Sequence, residues 1–240
     1  GELVVITGPT GCGKTAMLKG LVGELDVVTS GASGRGESVA SVVGTLAVVN
    51  QIPWIMSGSL RSNIVWSADD QLNAGKAGKV DEGKGRLSRF ARVLERCGLD
   101  QDVKQWEDGV DTRIGEKGVN LSGGQRARVS LARAVYSDRD IVLLDGVLSA
   151  VDPSVATSLL HDVVLPLCRE QKKIVVVSTH LIDLCRSHAD VFLRMDVDGN
   201  VVENERRKEV VAVDEAVEEV EAVEEVEVEE QERVGTSNDY

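Results

Sequence analysis

Short apolar runs alternate with amphipathic stretches along most of the chain. Continuous β-branched runs are typical of strands buried on both faces, whereas apolar positions spaced three and four apart are typical of helices. The pattern predicts strands at residues 3–7, 46–49, 141–144 and 174–178, and helices from Lys14 onward and at residues 87–97 and 123–136. Strands that alternate with helices indicate an α/β fold with a mainly parallel sheet.

Two polar stretches interrupt the alternation. Residues 29–44 are rich in Gly and Ser, and residues 67–86 are rich in Gly, Lys and Asp. Neither shows the periodicity of a strand or a helix, so we expect both to be solvated surface insertions.

The composition changes near the carboxyl end of the chain. Residues 203–240 hold 15 acidic and 4 basic side chains, so they carry −11 of the chain's net charge of −13 and leave −2 for the rest. We therefore predict one domain at 1–202 and an acidic, Glu/Val-rich linker or tail at 203–240. A near-neutral body has no basic stripe for a phosphate backbone, so no nucleic-acid partner is expected.

Membrane and disulfide signals are weak. No stretch approaches 18 consecutive apolar residues, and the amino end lacks the basic-then-apolar order of a signal peptide. We expect the chain itself neither to span a membrane nor to be secreted. The four cysteines show no C-x-x-C spacing, which favours free thiols.

A glycine-rich loop between the first predicted strand and helix carries the strongest chemical signal. Residues 8–15 read GPTGCGKT and match G-x-x-x-x-G-K-[ST]. Glycines let backbone N–H groups converge on phosphate oxygens, and the helix start adds partial positive charge. Lys14 is predicted to bind the β- and γ-phosphates, and the Thr15 hydroxyl to bind Mg²⁺. The predicted ATP-binding residues are Gly8, Pro9, Thr10, Gly11, Cys12, Gly13, Lys14 and Thr15.

An acidic residue ends the apolar strand at 141–144. Asp145 stands where a rigid sheet can hold Mg²⁺ through water beside the phosphate loop. Many buried strands end in an aspartate that only caps the next turn, and that alternative stays open for Asp145 taken alone.

The segment 121–125 reads LSGGQ and precedes a predicted helix. Here the chain resembles the ATP-binding-cassette (ABC) family, whose signature motif contacts ATP held by the opposite domain of a head-to-tail dimer. The resemblance implies a P-loop NTPase core with a helical signature subdomain at about 52–136. The signature residues are Leu121, Ser122, Gly123, Gly124 and Gln125. A simple N-cap at Ser122 accounts for the serine but not for the whole match.

Other positions extend the resemblance to about residue 200. Gln51 matches the family's Q-loop glutamine, which implies a ligand near Mg²⁺ and a joint toward the membrane domain. Ser149 and Asp152 match the D-loop at the dimer interface. His180 matches the switch histidine that contacts the γ-phosphate. The resemblance implies that Gln51 and His180 are the catalytic residues. It also implies that Mg²⁺ is bound by Thr15, Gln51 and Asp145.

Two segments resemble one subfamily in particular. Residues 51–64 and 115–125 look like the first nucleotide-binding domain of the multidrug-resistance-associated (C) subfamily. This resemblance implies a second nucleotide-binding domain and transmembrane domains as partners, a location at the cytoplasmic face of a membrane, and export. Trp54 within the first segment suits either core or interface packing.

One departure from the family pattern changes the expected mechanism. The family places a carboxylate, usually Glu, after the aspartate, but this chain has Gly146. A general base typically contributes about 10²- to 10⁴-fold to a rate. We therefore expect the chain's own site to bind MgATP and to hydrolyse it weakly. The intact signature 121–125 could still complete a second site on a partner domain.

A second departure lies at the amino end. The family stacks adenine on an aromatic residue upstream of the first strand, and here that strand begins at residue 3. We expect the amino-terminal antiparallel strands to be truncated and the chain to be part of a longer polypeptide. Stacking is worth about 1–3 kcal/mol per base in nucleic-acid complexes, so ATP binding is expected to be weaker.

Two alternative functions remain. A non-hydrolysing regulatory domain, which uses ATP to hold an interface, is favoured by Gly146. A soluble cassette ATPase of DNA repair or translation is less favoured, because such proteins need long coiled-coil insertions or basic surfaces.

Overall fold

A computed structural model describes residues 1–25, 42–65 and 89–207, which are built around a six-stranded sheet. The strands of this sheet are β1 (Leu3–Thr7), β2 (Leu46–Val49), β5 (Ile141–Asp145), β6 (Ile174–Ser178), β7 (Val191–Met195) and β8 (Val201–Arg206). Their order is β2-β5-β6-β1-β7-β8, and every neighbouring pair is parallel except β7 and β8. The prediction of a mainly parallel α/β sheet is confirmed.

Helices make up most of the remaining regular structure in the described ranges. They are α1 (Lys14–Val22), α2 (Leu60–Ile64), α3 (Arg89–Arg96), α4 (Asp100–Gln105), α5 (Gly123–Ser137), α6 (Pro153–Leu159), α7 (Leu165–Arg169) and α8 (Ile182–Cys185). A π-helical turn, Leu160–Val164, joins α6 to α7, and β3 (Gly58–Ser59) pairs with β4 (Arg113–Ile114). The predicted helices at Lys14, 87–97 and 123–136 are confirmed over the residues that are described.

Hydrophobic side chains pack on both faces of the sheet. Because successive strand residues point to opposite faces, Val5 lies in the larger core cluster and Ile6 in the smaller one under α1. In β5, Leu144 lies in the larger cluster and Leu143 in the smaller one. All five residues of β5 are buried, which explains why this strand reads as an unbroken apolar run.

The order of the strands places the carboxyl-terminal ends of β5, β6 and β1 side by side. In the sheet register Asp145 pairs with Ser178, and Ser178 pairs with Ile6, one residue before the end of β1. The loop that follows β1 therefore begins beside the ends of β5 and β6. Open parallel sheets bind ligands at this edge.

The four cysteines are buried and free. Burial raises the pKa of the Cys97 thiol to about 12, and those of Cys168 and Cys185 to about 11. These three thiols stay protonated at neutral pH. The prediction of free thiols is confirmed.

The sheet continues beyond the predicted boundary at 202. Strand β8 runs to Arg206, and the compact unit is Gly1–Arg206. Glu203, where the acidic composition begins, belongs to this strand, and its carboxylate lies 2.5 Å from Arg186 and 2.8 Å from Arg194.

Several predicted features fall outside the described residues. They are the second insertion at 67–86, most of the first insertion at 29–44, and the acidic run from residue 208 onward. Within the described ranges no helix is long and apolar enough to cross a membrane.

Candidate nucleotide-binding site

The loop between β1 and α1 depends on glycine at three positions. Gly8, Gly11 and Gly13 have φ angles of 152°, 83° and 99°, which other residues rarely adopt. A Cβ atom added to Gly8 would lie 2.7 Å from the carbonyl oxygen of Met195 and 2.8 Å from Cys12 Sγ. Helix α1 begins directly after Gly13, so its first amides face the loop.

The ammonium group of Lys14 lies against the loop backbone. Its Nζ donates hydrogen bonds to the carbonyl oxygens of Gly8 at 2.8 Å and Pro9 at 2.7 Å, and lies 3.7 Å from Cys12 Sγ. These hydrogen bonds hold the Lys14 ammonium group within the loop that the glycines shape. This arrangement suits phosphate oxygens, which need both backbone donors and a compensating charge.

Two hydroxyl groups and one carboxylate meet beside the loop, at the carboxyl ends of the strands. The Thr15 hydroxyl donates to Asp145 Oδ2 at 2.7 Å, and the Ser178 hydroxyl donates to Asp145 Oδ1 at 2.5 Å. The Asp145 side chain is buried. Both carboxylate oxygens are therefore fixed, and one of them faces the first turn of α1.

The donors at this point fit a magnesium ion that also binds nucleotide phosphates. Mg²⁺ prefers oxygen ligands and in such sites takes one or two from protein side chains and others from phosphates and water. Thr15 and Asp145 offer such oxygens. Within the described ranges no group of three or more His, Cys, Asp or Glu could hold a metal by itself.

Gly146 follows Asp145 in a left-handed conformation, with φ at 65°. Its N–H donates to the Ser178 carbonyl oxygen at 3.1 Å and to the Ser178 hydroxyl at 3.0 Å. A Cβ atom added here would meet Gln51 Cγ at 3.6 Å, which is an ordinary contact. The position beside Gln51 therefore has space for a Cβ atom, although the positive φ would strain most other residues.

His180 lies near the phosphate loop. It is exposed and lines a cavity of about 520 Å³ together with Thr7, Gly8 and Pro9. The imidazole therefore shares open space with the loop.

The predicted D-loop contacts the segment before His180. The Ser149 hydroxyl lies 3.2 Å from that of Thr179, which also accepts from the Leu181 N–H at 3.0 Å. Asp152 stands at the N-cap position of α6, but its side chain caps no amide there. Asp152 is exposed.

The signature segment forms a capping box at the start of α5. Ser122 Oγ accepts from the Gln125 N–H at 3.1 Å, and Gln125 Oε1 accepts from the Ser122 N–H at 2.8 Å. Ser122 and Gly123 are exposed, and Leu121 is buried beneath them. The capping box explains the serine and the glutamine. The glycines at 123 and 124 add a helix start without side chains, whose amides can approach an anion.

Sequence reasoning missed Ser178. The only signal was a hydroxyl residue at the end of the apolar run at 174–178, two positions before His180. Its hydroxyl joins Asp145 to the backbone of Gly146, which a sequence without strand order could not reveal.

The fold and this site define a P-loop nucleotide-binding domain. A family model described as "ABC transporter" matches residues 1–149, which is more than half of the chain. The chain belongs to the ABC transporter family.

Known relatives indicate which subfamily of ABC transporters the chain resembles. The chain is 39% identical over 196 residues to human "ATP-binding cassette sub-family C member 4", a match that covers 82% of this chain and 13% of that protein. It is 35% identical over 230 residues to "ABC transporter 7" of Pyricularia oryzae, covering 92% and 13%. It is 40% identical over 184 residues to "Multidrug resistance protein" of Leishmania tarentolae, covering 77% and 10%. The expected resemblance to subfamily C is confirmed, and the chain spans only 10–13% of these relatives.

Proposed function

We propose that this chain is the ATP-binding domain of an ABC exporter, in which MgATP binding and hydrolysis drive movement of transmembrane domains. In this role it lies at the cytoplasmic face of a membrane, beside transmembrane domains of the same or a partner chain. Membership of the family supports this proposal. So does similarity to the "Multidrug resistance protein" of Leishmania tarentolae.

The phosphate loop and its neighbours would hold MgATP. Residues 8–15 supply backbone donors and Lys14 supplies the cation, and Thr15, Asp145 and Gln51 supply oxygens to Mg²⁺. The bound ion would neutralise negative charge on the β- and γ-phosphates. His180 faces the same open space and would contact the γ-phosphate.

The phosphate loop beside Thr15 and Asp145 is the observation that carries the proposal, and Gly146 is the reason to expect weak hydrolysis at this site. Gly146 has no side chain to orient or deprotonate the attacking water, and its N–H is bound to Ser178. The domain would therefore bind MgATP, hold it, and close on a second nucleotide-binding domain in a head-to-tail sandwich. The exposed signature at 121–125 would complete the site of that partner.

Single-turnover hydrolysis in matched Gly146 variants tests this proposal. Gly146→Asp adds a carboxylate, and Gly146→Asn adds the same shape without its charge. Asp and Asn tolerate a positive φ better than most residues. We expect Asp to raise the rate of γ-phosphate release by about tenfold or more over Asn, since general bases contribute about 10²- to 10⁴-fold when well placed.

A second pair, Gly146→Glu and Gly146→Gln, extends the reach of the side chain. Equal rates within both pairs would contradict the proposed reason for weak hydrolysis.

A non-hydrolysing regulatory domain is the second candidate. It is favoured by Gly146, because a glycine has no side chain to act as a general base. Comparison of ATP-driven association with ATP turnover separates the two functions. Association without turnover, even in the assembled protein that contains a second nucleotide-binding domain, would favour the regulatory role.

A further inference from the structure

The side-chain amide of Gln125 is fixed at both ends. Its Oε1 accepts from the Ser122 N–H at 2.8 Å, and its Nε2 donates to Asp102 Oδ1 at 2.8 Å. An amide has its acceptor on one side and its donors on the other. A flipped amide would place a donor against the Ser122 N–H and its oxygen against Asp102 Oδ1, so the two contacts together hold the amide in one orientation.

Asp102 lies on α4 and is paired with a cation from α5. Its side chain is 15% exposed, and Arg128 Nη1 lies 3.0 Å from its Oδ2. That oxygen accepts no well-aligned hydrogen bond, and Arg128 donates instead to the carbonyl oxygen of Gly98. Arg128 therefore acts on Asp102 mainly through its charge. The charge matters because an uncompensated carboxylate beneath this helix start would repel an anion.

The capping box leaves donors directed away from the helix. Because Ser122 Oγ accepts from the Gln125 N–H, its own hydroxyl proton can be donated outward. The amides of Gly123 and Gly124 belong to the first turn, where backbone N–H groups have no partner within the helix. Ser122 and Gly123 are exposed, so their donors are accessible to a ligand.

We propose that Asp102 is a positioning residue for the signature segment. By holding the Gln125 amide in one orientation, it fixes Ser122 so that its hydroxyl and the following amides bind the γ-phosphate of ATP on a second domain. Arg128 cancels the charge of Asp102 and keeps this surface suitable for an anion. The inference rests on the proposed head-to-tail function and adds a residue outside the motif to it.

An exchange of polarity between residues 102 and 125 tests the proposal. Gln125→Glu places two carboxylates in contact, and Asp102→Asn removes the charge opposite Arg128. In the double variant D102N/Q125E, the new asparagine amide can donate to the new carboxylate, which still accepts from the Ser122 N–H. The net charge of the pair is unchanged. A residue that only packed α4 against α5 would not produce rescue by the double exchange.

MgATP-driven association of two copies of the full 240-residue chain is the measurement, because each copy carries both a phosphate loop and a signature. Analytical ultracentrifugation gives the association constant, and binding of a fluorescent ATP analogue gives the affinity of the loop of each copy. Asp100→Asn is the matched control, since Asp100 is on the same helix and pairs only with exposed groups at 101 and 104.

We expect Gln125→Glu to weaken association by about tenfold or more, because it places two carboxylates in contact, and the double variant to recover most of it. Asp102→Asn keeps an oxygen that accepts from Gln125 Nε2 and should weaken association less. Affinity for the ATP analogue should be equal in all variants, and the control should match the original chain. Association of Gln125→Glu at the original strength, or a double variant no better than the weaker single one, would overturn the inference while leaving the proposed function intact. Failure of the original chain to associate while it binds the analogue would instead overturn the head-to-tail arrangement and this inference with it.

Discussion

At Gly146 the backbone conformation matters as much as the missing side chain. The sequence shows that no carboxylate follows Asp145, but not that the φ angle there is 65°. A left-handed conformation costs most L-residues roughly 1–2 kcal/mol. Replacement by Glu, which the family pattern suggests, therefore introduces backbone strain together with the carboxylate. Asp and Asn form the cleaner pair because they tolerate this region better.

Ser178 is predicted to contribute to stability through two bonds to the strand end of β5. Ser178→Ala removes the donor to Asp145 Oδ1 and leaves that buried carboxylate with one fewer partner. We expect the free energy of unfolding to fall by about 1–3 kcal/mol, with a fall in Tm of about 2–4 °C for each kcal/mol. Thermal unfolding followed by circular dichroism measures this. Ser187→Ala at an exposed position is the control, and an equal Tm for the two variants would contradict the role given to Ser178.

Helix α5 is tied to the segment that follows Gln51. Arg133 donates to the Asn63 carbonyl oxygen at 2.6 Å and to the Trp54 carbonyl oxygen at 2.8 Å, and its guanidinium lies 5.2 Å from the centre of the Trp54 ring. Trp54 is 55% exposed, so it is not the core residue that was one of its two expected roles. Arg133 therefore links helix α5 to the segment that contains Trp54 and Asn63.

Arg133→Lys tests this link between elements. A lysine keeps the charge but cannot reproduce the planar fork that reaches both Trp54 and Asn63. We expect unfolding in urea to show a loss of about 2–3 kcal/mol, because hydrogen bonds from a charged group to a partly buried site are lost. Arg113→Lys at an exposed position should cost far less. Similar losses in both variants would mean that the fork adds nothing beyond its charge.

Short elements escaped prediction for a physical reason. Helix α2 has five residues and β3 and β4 have two each, which is too little for a period to show. Asn63 fixes this region by bonding to Met56 and Ser59 from a buried position. Those contacts depend on the tertiary fold, so local pattern could not reveal them.

At the scale of the molecule, alternating patterns predicted the class of fold but not the order of its strands. Any apolar run can pair with any other, and the observed order places β6 between β1 and β5. In this order Thr15 lies 2.7 Å from an aspartate 130 positions away. The motifs could be read from the sequence because they are local, whereas their meeting depends on long-range pairing.

Ligand binding is predicted to stabilise the whole domain. At a free MgATP concentration of about 100 times Kd, a single site adds about 2.7 kcal/mol to the free energy of unfolding. We expect Tm to rise with MgATP and most of the rise to disappear when EDTA removes the metal. Thr15→Ser keeps the hydroxyl and should retain the metal-dependent part, whereas Thr15→Val should lose it. An equal rise for both variants would contradict a metal role for Thr15.

The most direct test of the account is the fate of one bound nucleotide. The chain is mixed in excess with γ-³²P-labelled MgATP and is separated from free ligand at intervals. The label that stays with the chain is measured as ATP, and the label that is freed is measured as inorganic phosphate. Lys14→Ala serves as the variant without the phosphate-loop cation. The account predicts that the original chain retains label as ATP, that Lys14→Ala retains little, and that Gly146→Asp releases phosphate. Binding no better than that of Lys14→Ala, or rapid phosphate release by the original chain, would contradict it.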